Sequence, residues 1–123
     1  MSPSLHAILV EPDESRAEML TAILSVLGIE VTRAADLPRA STLLSQLQPE
    51  LLVVGAHPAI APSLLPWLSA LLALTPLLTL LYAEERPLLD LIAQMLPPGV
   101  MTLLWPCSQG ELAFLLAPLR NRS

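Results

Sequence analysis

The chain contains no lysine. Its six basic residues are all arginines, scattered singly at positions 16, 33, 39, 86, 120 and 122 among 11 acids, for a net charge of −5. Phosphate backbones are gripped by clustered positive charge, so direct nucleic-acid binding is not expected. The single cysteine, Cys107, excludes an internal disulfide and any multi-cysteine metal site. With only 4 glycines and about a quarter of its residues Leu, the composition favours helices and apolar strands over an all-β sandwich. Charged residues are just 14% of the chain against 54% hydrophobic, which excludes intrinsic disorder. The opening MSPSLHAILVEPDE has no basic stretch and reaches acids almost at once. No secretory signal is expected, and a cytoplasmic location follows by default.

One absence points the other way. From Leu51 to Ala83 there is no Asp, Glu, Lys or Arg, and hydropathy alone would nominate a membrane helix. Pro58, Pro62, Pro66 and Pro76 interrupt the run, and each would cost about 3 kcal/mol inside a helix. The run divides instead into a strand, a loop, a short helix and another strand, so no membrane span is expected.

What is present alternates. Short apolar runs at Ala7–Val10, Leu51–Val54, Leu77–Leu81 and Met101–Leu104, with a weaker one at Ile29–Arg33, predict buried strands. Helical patterns lie between them. The first carries a Ser15-x-x-Glu18 capping box and stops at Gly28, and the second opens near Asp36 with Pro38 in its first turn. A third, about Ser63–Leu74, is apolar almost all round. A fourth follows Glu84-Glu85 and runs to Pro97, and a fifth has the box Ser108-x-x-Glu111. Strands alternating with helices through short loops predict a single α/β domain, residues 1–123 with a core of about 6–120, built on a parallel sheet covered on both faces. Function in such folds gathers at the carboxyl ends of the strands, here Glu11-Pro12-Asp13, Gly55-Ala56-His57, Leu81-Tyr82-Ala83 and Trp105-Pro106-Cys107.

The ordered set ILVEPDES, LGIEV, PELLVVG, TPLLTLLYA and Gly99 leading into LLWP resembles the receiver (CheY-like) domain of bacterial response regulators, from about His6 to Arg120. The resemblance implies a flavodoxin-like five-stranded parallel sheet of order 2-1-3-4-5. It also implies a two-component signalling role, in which a histidine kinase passes a phosphoryl group to an Asp ending the third strand. Paired acids after the first strand would hold Mg²⁺, a Thr or Ser would end the fourth strand, and a Lys before a Pro would end the fifth; metal and Lys neutralise charge on the transferring group. Carried onto this sequence, the first acid falls on Glu11, the second on Pro12 and the phospho-acceptor on Gly55. The Thr/Ser position falls on Leu81 or Tyr82, and the Lys on Trp105. Asp13 is at most an acid displaced by one residue.

Nucleophile, metal ligand and lysine are therefore all missing, which implies a pseudo-receiver that takes no Mg²⁺, no cofactor and no phosphoryl group. The expected function is regulation through protein–protein contact, with a partner or as a homodimer, and no enzymatic activity. Two rivals are weighed: a small ligand held in the old acidic pocket between Glu11, Gly55, Tyr82 and Trp105, and an enzyme using Cys107, whose place before a helix start would favour a thiolate. His57 is read as a loop residue, and Trp105 as packing that fills the vacated pocket. Along the third helix Leu64, Leu65, Trp67, Leu68, Leu71, Leu72 and Leu74 cover more than the ~100° stripe that a core-facing helix needs, and Leu64, Trp67, Leu68, Leu71 and Leu72 form the candidate interface.

Overall fold

The computed structural model describes residues 5–57 and 61–120; Pro58 and Arg122, both noted above, lie outside the described residues. Five strands, β1 (Leu5–Val10), β2 (Ile29–Ala34), β3 (Leu51–Gly55), β4 (Leu78–Ala83) and β5 (Val100–Leu104), alternate with α1 (Glu14–Val26), α2 (Leu37–Leu47), α3 (Ala61–Leu74), α4 (Arg86–Ala93) and α5 (Gln109–Leu115). A short α6 (Ala117–Arg120) follows. The strands form one parallel sheet in the order β2-β1-β3-β4-β5, which is the flavodoxin-like arrangement anticipated above.

The near-continuous apolar strands follow from burial on both faces. In β1, Ala7 and Leu9 join a cluster with Leu20 and Leu24 of α1 and Leu112 of α5. Ile8 and Val10 join the opposite cluster with Ala40 of α2, Leu64 and Leu68 of α3 and Leu89 of α4. The same alternation places Leu80 and Tyr82 of β4 on the first face and Leu81 and Ala83 on the second. Each leucine so buried contributes roughly 2 kcal/mol of transfer free energy.

Local signals set the helix ends, with two departures from the sequence reading. The first helix begins at Glu14, not at the Ser15 box: Asp13 is the N-cap, and its carboxylate accepts the Arg16 N–H at 2.8 Å. Asp13 prevails because its own N–H donates to the Glu11 carboxylate at 2.9 Å, which holds it in the extended conformation a cap requires. The fourth helix ends at Ala93 instead of Pro97. A proline ring collides with the carbonyl four residues back, here that of Ala93, so Pro97 stops the helix a turn before itself. Elsewhere the signals hold: Gly28 leaves α1 at φ 84°, Asp36 caps α2, and Ser108 with Glu111 forms a reciprocal capping box on α5.

The third helix requires a correction. Leu64 and Leu68 are fully buried in the core, so they cannot meet a partner. Leu71, Leu72 and Trp67 are half-buried against the same cluster, and the Trp67 indole N–H donates to Ser41 Oγ on α2 at 2.8 Å. Apolar residues surround this helix because it is flanked as well as floored. Among its described side chains the outward ones are Pro62, Ser63, Pro66, Ser69, Ala70, Ala73 and a single large one, Leu74.

Candidate functional site

The carboxyl ends of β1, β3 and β4 meet around one buried acid. Glu11, directly after β1, is completely inaccessible to solvent. A carboxylate in that position costs several kcal/mol unless its lone pairs and charge are answered, and three groups answer them. The Tyr82 hydroxyl donates to Oε1 at 2.6 Å. The Asp13 N–H donates to Oε2 at 2.9 Å. Arg16, in the first turn of α1, directs Nη1 at both oxygens from 3.4 Å. The other end of the same guanidinium pairs with Glu84 in the loop after β4. Arg33 of β2 donates to the carbonyls of Glu11 and Pro12 at 3.0 and 2.9 Å, which fixes the chain as it leaves the sheet.

Gly55 makes this arrangement possible. A Cβ there would lie 2.7 Å from Tyr82 Oη and 2.8 Å from both Glu11 Oε1 and Tyr82 Cζ, closer than side chains approach one another. Position 55 and residue 82 are neighbours in the β3–β4 register, so the phenol crosses directly over the glycine. Of the two candidates at the end of β4, Tyr82 is therefore the one that faces the site; Leu81 points into the opposite core cluster. The space above Gly55 is filled by Tyr82 and not, as the sequence reading had it, by Trp105. Trp105 is buried beside Tyr82, with ring centroids 6.1 Å apart at 53°, and the Trp105–Pro106 peptide is cis.

Beyond the phenol a cleft of about 260 Å³ remains, lined among others by Glu11, Arg16, His57, Tyr82, Glu84 and Leu88. The positions at which the resemblance would place Mg²⁺ do not suit it. Pro12 and Gly55 offer no side-chain ligand, both Glu11 oxygens are engaged, and a guanidinium sits where a cation would have to approach. Among the described residues no three His, Cys, Asp or Glu side chains converge into a metal site.

Electrostatics follow the geometry. Burial, reinforced by the hydrogen bond to Glu11 and by that residue's charge, drives the Tyr82 phenol far above its ordinary range. For Arg16 burial pulls down, but attraction to Glu11 and Glu84 outweighs it and the guanidinium is raised. A phenol whose native pKa exceeds its unfolded value of about 10 contributes its stability fully below that pH, and loses it as pH rises. Above about pH 10 stability should therefore fall by roughly 1.4 kcal/mol per pH unit from this group alone. The chain has one tyrosine, so its tyrosinate absorbance should appear only together with unfolding. A reversible titration near pH 10 in the folded protein would contradict the buried bond.

Solved structures share this framework. The signal receiver domain of an HD domain-containing protein from Pseudomonas fluorescens Pf-5 superposes with a TM-score of 0.79 at 24% identity, covering 98% of this chain and 97% of that one. A receiver domain protein from Clostridium thermocellum gives 0.79 at 15% identity over 96% and 95%. The CheY-like receiver domain from Methylobacillus flagellatus gives 0.77 at 16% over 95% and 99%. The fold is that of a receiver domain. No family model matches the chain, and no curated protein matches it by sequence. Glu11, Gly55, Tyr82 and Trp105, four of the positions that the resemblance assigned, lie at the carboxyl ends of β1, β3, β4 and β5. Sequence reasoning missed Arg16, which stands in the first turn of the helix that follows Glu11.

Proposed function

We propose that this is a pseudo-receiver: a non-enzymatic, cytoplasmic regulatory domain that works by protein–protein contact and independently of phosphorylation. The observation that carries the reading is the Tyr82 hydroxyl bound to Glu11 across Gly55, in the space a phospho-accepting side chain would need. Exposed apolar side chains suit a contact role. Leu91, Met95 and Phe114 lie on or just after the helices that flank the edge strand β5 in sequence, and Leu47 and Leu74 end α2 and α3. Among the described residues no helix is long and apolar enough to cross a membrane.

The Cys107 reading loses support. Burial, then the charge of Glu111, raises this thiol despite a backbone hydrogen bond that lowers it, whereas a nucleophile needs the thiolate. The ligand reading retains one favourable observation, the cleft beside Arg16 and His57. Its 260 Å³ falls below the ~300–1,000 Å³ common for small-molecule sites, so contact with protein remains the stronger reading.

Incubation with millimolar Mg²⁺ and acetyl phosphate, followed by intact-mass measurement, is expected to leave the mass unchanged. One added phosphoryl group that maps to a carboxylate would overturn the proposal.

A further inference from the structure

The charges are distributed unevenly. Between Arg39 and Glu84 the sequence holds one charged side chain, Glu50, whose carboxylate accepts the His6 N–H at 2.7 Å. The later turns of α2 and the whole of α3 fall within that interval, so the flank they form is neutral on a chain of net charge −5. Between these helices runs a groove of about 530 Å³, lined by Leu44, Leu71 and Leu77 with Ser41, Ser45, Gln48 and Thr75 as its polar groups and, among the described residues, by no charged one. Leu74, 86% exposed, closes α3 beside it, and Leu47, partly exposed, closes α2.

Building on the contact role above, we propose that the chain self-associates through this α2–α3 flank, with Leu74 of each copy seated in the groove of the other. Two copies carrying −5 each repel wherever their acids meet, and a neutral flank is the surface on which that penalty is smallest. A two-fold contact also needs one patch that is complementary to itself. A projecting leucine beside an apolar groove meets that condition. An anionic lipid surface is disfavoured because the flank has no Lys or Arg to attract it. The cluster of Leu91, Met95 and Phe114 is interspersed with exposed Arg86, Asp90 and Glu111, which suits a charged partner better than a second copy. The groove lies where the chain enters β3 and β4, at the end of the sheet opposite Glu11 and Tyr82, so association there bypasses the former acid site.

Light scattering of the full chain across protein concentrations tests this, with Leu74→Glu and Phe114→Glu as variants. Both positions are exposed, so both variants should keep the fold, which circular dichroism checks. The wild type and Phe114→Glu should dimerise, while Leu74→Glu weakens association by roughly a hundredfold or more, since two leucines lose their seats. A wild type that stays monomeric overturns the proposal, as does a Leu74→Glu variant that dimerises normally. A mass change on adding Mg²⁺ and beryllofluoride would instead overturn phosphorylation independence, so the two failures are told apart.

Discussion

Giving Gly55 even a methyl group should destabilise the protein by about 3 kcal/mol, and an aspartate should cost more. Overfilling a tight core typically costs 1–3 kcal/mol. Here the added carbon would also meet the Tyr82 hydroxyl and the Glu11 oxygen at 2.7 and 2.8 Å, within the hydrogen bond that keeps a buried carboxylate satisfied. A hydrogen bond to a charged group contributes about 1.5–3 kcal/mol, so displacing it adds to the steric cost. Aspartate brings a second carboxylate against a fully buried first one, and like charges at that distance raise the cost further. Restoring the acceptor residue alone is therefore expected to damage the fold, not to restore phosphoryl transfer. Urea unfolding of Gly55→Ala and Gly55→Asp measures the effect. Repeating both in a Tyr82→Ala background should show coupling of 1 kcal/mol or more, because the phenol that blocks the position is gone. A Gly55→Ala variant within 0.5 kcal/mol of wild type would mean that Tyr82 does not occupy this volume.

The architecture was legible in the sequence because its signals are local and mutually consistent. Runs such as Leu51–Val54 have apolar side chains on both sides of the strand, which only a doubly covered sheet satisfies. Asp36 with Pro38 and Ser108 with Glu111 mark helix starts by chemistry that acts within four residues. The misplaced ends share a different cause. Asp13 and Ser15 are both competent caps, and the choice between them depends on where the Glu11 carboxylate lies in space. Pro97 acts on a carbonyl a full turn earlier, so a boundary read at the proline overshoots.

The site was legible only as a set of absences. Pro12, Gly55 and the missing lysine stand out against the receiver pattern, but what replaces them is a matter of packing. The sequence pattern puts Trp105 at the site as the filler. Yet Tyr82 pairs with Gly55 in the sheet register, and its hydroxyl can also satisfy a buried acid, which an indole at position 105 does not do here. Arg16 gave no sequence signal of its own, since a lone arginine on a helix beginning with Glu14 reads as an ordinary solvated residue. The third helix misled for a related reason. Periodicity shows how much of a helix is apolar, but not that α2 lies beside it to receive Trp67.

Replacing Arg16 by methionine is the second change expected to have a large effect, at about 2–3 kcal/mol. Breaking a buried pair by removing one partner commonly costs 3–5 kcal/mol, because the remaining charge is left uncompensated. The lower figure reflects what Glu11 keeps, namely the Tyr82 hydroxyl and the Asp13 amide. The far side of the guanidinium behaves differently. Glu84 is half exposed, so Glu84→Gln should cost less than about 1 kcal/mol. This ordering, in which the pair with the buried acid matters more than the pair with the exposed one, makes burial the source of the effect. The decisive comparison is Arg16→Met in a Glu11→Gln background. With no buried charge to answer, losing the guanidinium should cost little, and the cycle should show coupling of about 1.5 kcal/mol or more. Urea midpoints measured at constant m-value supply all four corners. Equal costs in both backgrounds would mean that the phenol and the backbone amide hold Glu11 unaided. Strong coupling would make Arg16 the fixed cation of this site, carried by the chain itself on the first turn of α1.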